Sequence, residues 1–161
     1  MELTVDKDLE NATFTVETTF SYPIEKVWAL YADPRKLERW WGPPTHPATV
    51  VRHELEPGGV VHYYMTGPEG TQYHGVWHVT AVDEPTRIAA DDYFADADGN
   101  PAEGMPATHF EYSFESIGGG TRMVCVSRYD SPEDLQKVLD MGVEEGMSGA
   151  MSQMEAILAE G

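Results

Sequence analysis

"SPEDLQKVLDMGVEEGMSGAMSQMEAILAE", residues 131–160, decides how the rest of the chain is read. Ser131 as N-cap, Pro132 at the first helical position and an acid at Asp134 form a start signal for a helix. Leu135, Leu139, Val143, Met147, Met151, Met154 and Leu158 then recur at spacings of three and four. That rhythm predicts one long C-terminal helix with a single apolar stripe, which must pack on something. Gly142, Gly146 and Gly149 each cost roughly 1 kcal/mol relative to Ala inside a helix. Three of them imply a close backbone approach, a bend, or space left beside the stripe.

What the stripe packs on precedes it. Residues 49–129 read as strand after strand, separated by turn signals at Pro57-Gly58-Gly59, 67–70, Glu84-Pro85, Asp98-Gly99-Asn100 and 118–120. Alternation predicts an apolar face of Val61, Tyr63 and Met65; Tyr73, Trp77 and Val79; Ile88, Ala90 and Phe94; Phe110, Tyr112 and Phe114; and Met123, Cys125, Ser127 and Tyr129. The other face carries His62, His74, His78, His109, Glu111, Arg122 and Arg128 and is predicted to meet solvent.

Upstream, "ATFTVETTF" alternates as a half-buried strand, and Pro23 opens a short helix with Val27, Trp28, Leu30 and Tyr31 on its apolar face. Asp33-Pro34 reads as N-cap and first position of a second short helix over 35–39, leading to Trp40, Trp41 and a turn at Gly42-Pro43-Pro44. The order is strand, two short helices, about six strands, long helix. The C-terminal helix is the one long stripe available to cover the sheet. The fold class is therefore α+β, a curved antiparallel sheet of about seven strands wrapped around that helix. The inner face is rich in aromatic and Met side chains, so it either packs solid or encloses a pocket.

No linker or charge block divides the 161 residues, so one domain over 1–161 is expected. Ten Lys and Arg against 28 Asp and Glu give a formal charge of −18, which repels nucleic-acid phosphates and anionic lipid surfaces. A single cysteine, Cys125, excludes an internal disulfide and a Cys-based zinc site and fits a reducing compartment. "MELTVDKDLENATF" lacks the basic start and apolar run of a signal peptide, and no apolar stretch reaches the roughly 18 residues that span a bilayer. A soluble, cytoplasmic protein without membrane insertion is expected.

Several stretches together resemble a known family: "P-x-E-K-V-W" from Pro23, "DPRKLERWWGPP", "ELEPGGVVHYYMTGPEGT", "HGVWHVTAVDEPTRI", "FADADGNP", "GGGTRMVCVSRYDS" and "MGVEEGMSGAMSQMEAILA". In this order, from about Phe14 to the end, they look like the activator of Hsp90 ATPase-like group of the START/Bet v 1-like (SRPBCC) superfamily. The resemblance implies a helix-grip fold with an apolar cavity between sheet and helix, its mouth near the short helices. It brings no shared catalytic set. The namesake co-chaperones carry a separate N-terminal domain, for which 161 residues leave no room, so a chaperone-interacting role is discounted.

On this reading Trp40 and Trp41 sit at the cavity mouth, where an indole offers a broad apolar face and one N–H donor. The alternative is that one ring plugs the core, worth roughly 1.5 to 3 kcal/mol by burial. Tyr63, Tyr73, Trp77, Phe94, Tyr112 and Met123 from the sheet, with Met147 and Met151 from the helix, are the remaining ligand-binding candidates. Asp92 shares the parity of Ile88 and Phe94 and is the inward acid of its strand, costly unless paired. Asp92 and Tyr112 are the catalytic candidates if a reaction occurs, since burial raises a carboxyl toward a useful range.

Other features point away from chemistry. Cys125 faces inward, as an inert core thiol does. His62, His74 and His78 lie near one another in the pattern but are expected on the solvent face, with no metal bound. "DADGN" has the acidic spacing of a calcium loop, yet Phe94 and Met105 stand where ligands belong, which makes it a hairpin tip. No P-loop, dinucleotide fingerprint or Gly-x-Ser-x-Gly elbow occurs, so no cofactor is expected. The leading expectation is a binder of a small hydrophobic or aromatic molecule. Polyketide cyclase, hydrolase or self-resistance activity in the same cavity and a chaperone-interacting module are the alternatives, so whether the chain is an enzyme stays open.

Overall fold

The computed structural model describes residues 3–160. Eight strands form one antiparallel sheet: β1 (Thr4–Asp8), β2 (Thr13–Phe20), β3 (Ala48–His53), β4 (Val60–Thr66), β5 (Gln72–Asp83), β6 (Arg87–Ala95), β7 (Thr108–Ile117) and β8 (Gly120–Arg128). Their order is β1-β2-β8-β7-β6-β5-β4-β3, so the long meander closes back on β2 through β8. Helices α1 (Ile24–Ala32) and α2 (Pro34–Trp41) join β2 to β3 at the far edge, and α3 (Pro132–Asp140), α4 (Val143–Met151) and α5 (Met154–Ala159) end the chain. This is the helix-grip arrangement. No described helix is long and apolar enough to cross a membrane.

β1 is a strand that alternation does not reveal. Of its residues the apolar Val5 packs against the core and pairs with Val16, while its neighbours are polar or charged. Main-chain pairing to β2 holds it, and pairing leaves no hydrophobic rhythm in the sequence.

The expected long helix is three shorter ones, and the three glycines divide the possible reasons among themselves. Gly142 adopts φ +89°, a left-handed conformation that L side chains resist, and it ends α3 and starts α4. Gly149 is a close approach: a β-carbon there would lie 3.5 Å from Pro43 Cβ and 3.6 Å from Pro44 Cδ. Gly146 has open space where its side chain would be. The second break, at Ser152 and Gln153, is anchored from outside the helices. Gln153 Nε2 donates to the Gly42 carbonyl at 2.7 Å, which ties the C-terminal helices to the end of α2.

Start signals in the sequence work as read. Asp33 Oδ1 accepts from the Arg35 N–H at 2.9 Å at the start of α2, and Ser131 Oγ accepts from the Asp134 N–H at 3.1 Å at the start of α3. α2 runs two residues further than expected, so Trp40 and Trp41 belong to its last turn rather than to the loop. The turn that follows needs glycine. A β-carbon on Gly42 would lie 2.1 Å from the His46 carbonyl oxygen, a backbone atom with nowhere to go.

The outer face is less open than its polarity suggests. His62 is 8% exposed, because the connection after β6 folds across it and brings Gly99 against its ring. Val76 on the same face is fully buried. Inside, Phe14, Val16, Phe20, Trp28, Leu30, Tyr31, Ile88, Phe114 and Met123 form the packed core between sheet and helices.

Candidate functional site

Beside that packed core lies a cavity of about 330 Å³, within the range of small-molecule sites. Tyr63 and Met65 of β4, Asp92 and Phe94 of β6, Phe110 and Tyr112 of β7, and Cys125 and Ser127 of β8 form its sheet wall. Val138 of α3 and Val143, Gly146, Met147, Ala150 and Met151 of α4 form the opposite wall, with Met141 and Gly142 at the bend. Trp40, Trp41 and Pro43 close one end. Phe94 and Met141, 38% and 53% exposed, mark where it reaches the surface. The space exists because α4 presents Gly146 and Ala150 where a stripe of larger residues would fill it.

The two tryptophans have different jobs. Trp40 is 1% exposed, and its Nε1 donates to the Leu30 carbonyl at 2.8 Å, locking α2 onto α1. Trp41 is the half-buried one; its ring meets Trp40, Trp77 and Tyr63 edge-on at centroid distances of 5.4, 4.8 and 5.8 Å. Its buried N–H has no hydrogen-bond partner among the described residues.

Asp92 is the polar centre of the cavity. The Tyr63 hydroxyl donates to its Oδ1 at 3.0 Å. Burial in this apolar wall pushes the carboxyl up to about 7, and the Tyr63 bond works in the opposite direction. Burial also raises Tyr63 and Tyr112 well above the phenol range, helped by the Asp92 charge at Tyr63 and by Cys125 at Tyr112. Cys125 is pushed up to about 12 by burial, so it is a thiol and not a nucleophile at neutral pH.

Trp40, Trp41, Tyr63, Phe94, Tyr112, Met147 and Met151 are thus brought around one cavity, as is Asp92. Tyr73, Trp77 and Met123 stand elsewhere. Tyr73 is near the open start of β5, 55% exposed, with His46 and the 67–70 turn beside it instead of a helix. Trp77 is fully buried behind Trp41 and Phe110, and Met123 lies deep in the core, accepting the Tyr31 hydroxyl at 2.9 Å. Strand parity gives the face of a residue but not its depth along the sheet. Met65, Phe110, Ser127 and Tyr129 line the cavity from positions whose inward parity was legible. Met141 lies off the helical stripe, and the break at Gly142 brings it to the rim.

The histidines form no centre. His62 Nε2 and His74 Nδ1 are 2.9 Å apart, while His78 faces Tyr93. Among the described residues no group of three or more His, Cys, Asp or Glu side chains is placed to hold a metal ion. Asp96 in the "DADGN" turn accepts the N–H groups of Asp98 and Asn100, each at 2.9 Å, which makes it a turn-forming residue.

Comparison with known proteins adds the lineage. No curated protein matches the chain. Among solved structures it resembles protein Ms6760 from Mycobacterium smegmatis, with 51% identity over 98% of this chain and 97% of that one and a TM-score of 0.89. A protein from Arthrobacter aurescens is 44% identical over 98% and 92% of the two chains, TM-score 0.92. One from Staphylococcus epidermidis is 30% identical over 98% and 94%, TM-score 0.85. The family described as "Activator of Hsp90 ATPase homolog 1-like protein" matches residues 21–159, nearly the whole described chain. The chain therefore belongs to the activator of Hsp90 ATPase homolog 1-like family.

Proposed function

We propose that this protein binds a small, largely apolar molecule in the cavity between its sheet and its C-terminal helices, acting as one domain in the cytoplasm. The observation that carries the reading is the make-up of the cavity wall: aromatic rings and thioethers around a single carboxyl group. Met147 and Met151 suit such a site, because thioethers are flexible and polarizable. Trp40 and Trp41, with Tyr63, Phe94 and Tyr112, supply flat apolar contact, and Asp92 supplies the polar anchor.

The test is a titration of the purified protein with neutral apolar aromatics and sterols, read by tryptophan fluorescence and melting temperature. At a ligand concentration of about 100 times Kd the fold gains roughly 2.7 kcal/mol, a rise of several degrees. Trp41→Ala is expected to weaken binding at least about tenfold. Flat fluorescence and unchanged melting across the panel would count against the reading.

A second reading, a cyclase or hydrolase acting on a natural product, rests on one observation. Asp92 titrates near neutrality inside the cavity, as a general acid or base needs. Turnover of a bound polyketide that disappears in Asp92→Asn would favour it over simple binding.

A further inference from the structure

The polar inventory of the cavity has one sign. Among the described residues Asp92 is its sole carboxylate, and no Lys, Arg or His side chain lines it. Asp92 Oδ1 accepts from Tyr63, while Oδ2 has no hydrogen-bond partner among the described residues. Tyr63, Tyr112 and Tyr129 line the same cavity as Asp92, and aromatic rings attract cations through their faces. An acidic ligand entering here would place a second negative charge beside Asp92 with no cation to offset it. A protonated amine finds the reverse: a carboxylate oxygen and several ring faces. The −18 charge of the chain also concentrates cations at its surface.

We propose that the molecule bound in this cavity carries a protonated nitrogen, held by Asp92 Oδ2 and by the aromatic rings that line the same cavity. The proposal rests on the cavity being a ligand site. It also gives binding a pH dependence of known direction. The other titratable groups lining the cavity are Tyr63 from β4, Tyr93 from β6, Tyr112 from β7, Cys125 from β8 and Tyr129 just beyond it, and burial raises every one of them. α3 and α4 present only apolar side chains and Gly146 to the cavity. Asp92 is therefore the one group there that changes charge near neutrality. It is an anion above about 7 and neutral below, so the preference for a cation rises with pH through that value.

Three probes of nearly one shape test this by calorimetry: naphthylethylamine, naphthylethanol and naphthylacetate, each at about pH 8 and about pH 5.5. The amine is expected to bind at least about tenfold more tightly than the alcohol at the higher pH, and less than about threefold at the lower. Naphthylacetate is expected to be the weakest at the higher pH. Asp92→Asn keeps an oxygen for the Tyr63 hydroxyl, and it is expected to erase the amine preference at both pH values. Alcohol binding equal to amine binding at the higher pH, or an amine preference that survives Asp92→Asn, overturns the proposal and leaves the cavity reading intact. Absence of binding by all three probes, together with a flat response to the neutral panel above, overturns both.

Discussion

Replacing Asp92 with Asn is expected to stabilise the protein at pH 8 and to leave its stability nearly unchanged near pH 4. The folded carboxyl titrates at about 7 against an ordinary value of 3.8, so the folded state holds a proton that the unfolded chain has released between those limits. Stability associated with Asp92 is full below about 3.8, falls as pH rises through about 7, and is flat above it. The shift corresponds to at most roughly 4 kcal/mol, and water entering the cavity reduces it. Asp92 is only partly buried by accessible surface, so the gain lies below that ceiling, and at 2 to 4 °C per kcal/mol Asp92→Asn should melt a few degrees higher at pH 8. Near pH 4 the two proteins should agree within about 2 °C. An equal gain at both pH values would mean that Asp92 is not buried as a charge.

Trp40→Ala is the second large effect. The ring is buried, donates to the Leu30 carbonyl, and packs edge-on against Tyr31 at 4.9 Å and Trp41 at 5.4 Å. Removing it leaves a cavity and an unpaired carbonyl, for roughly 3 to 5 kcal/mol. Urea unfolding should show that loss as a lowered midpoint with the slope unchanged. Trp41→Ala removes a ring that already borders a cavity and whose N–H makes no hydrogen bond, so it should cost at least about 1 kcal/mol less. Equal losses would contradict the division of labour between the two rings, one holding α2 to α1 and the other walling the cavity.

Much of this arrangement is legible in the sequence itself. Period-two patterns named the inner face from Val61 to Tyr129, because burial on one side of a sheet forces alternation. The same parity turned Asp92 inward. Caps at Asp33 and Ser131 were legible because each is a local side-chain bond to a nearby N–H. What escaped depends on partners distant in sequence. β1 is held by β2 and gains little from its own side chains. Tyr73 has inward parity but lies where no helix covers the sheet. His62 is covered by the turn around Gly99, a contact no strand pattern encodes. The three helix glycines signalled a departure from a smooth helix. Their separate reasons, a left-handed break, a contact with Pro43 and Pro44, and an empty flank, required the packed chain.

A ligand entering between the sheet and the C-terminal helices, as proposed, would meet methionines that report on it directly. Met65, Met141, Met147 and Met151 line the cavity, whereas Met105, Met123 and Met154 do not. Methyl spectra of protein labelled at methionine, recorded while a ligand identified by the thermal panel is added, should show the first four signals moving in saturable fashion. The signals of Met105, Met123 and Met154 should stay in place. Saturable shifts confined to Met105, or spread evenly over all eight methionines of the chain, would contradict this placement by putting the ligand elsewhere or attributing the change to the whole fold.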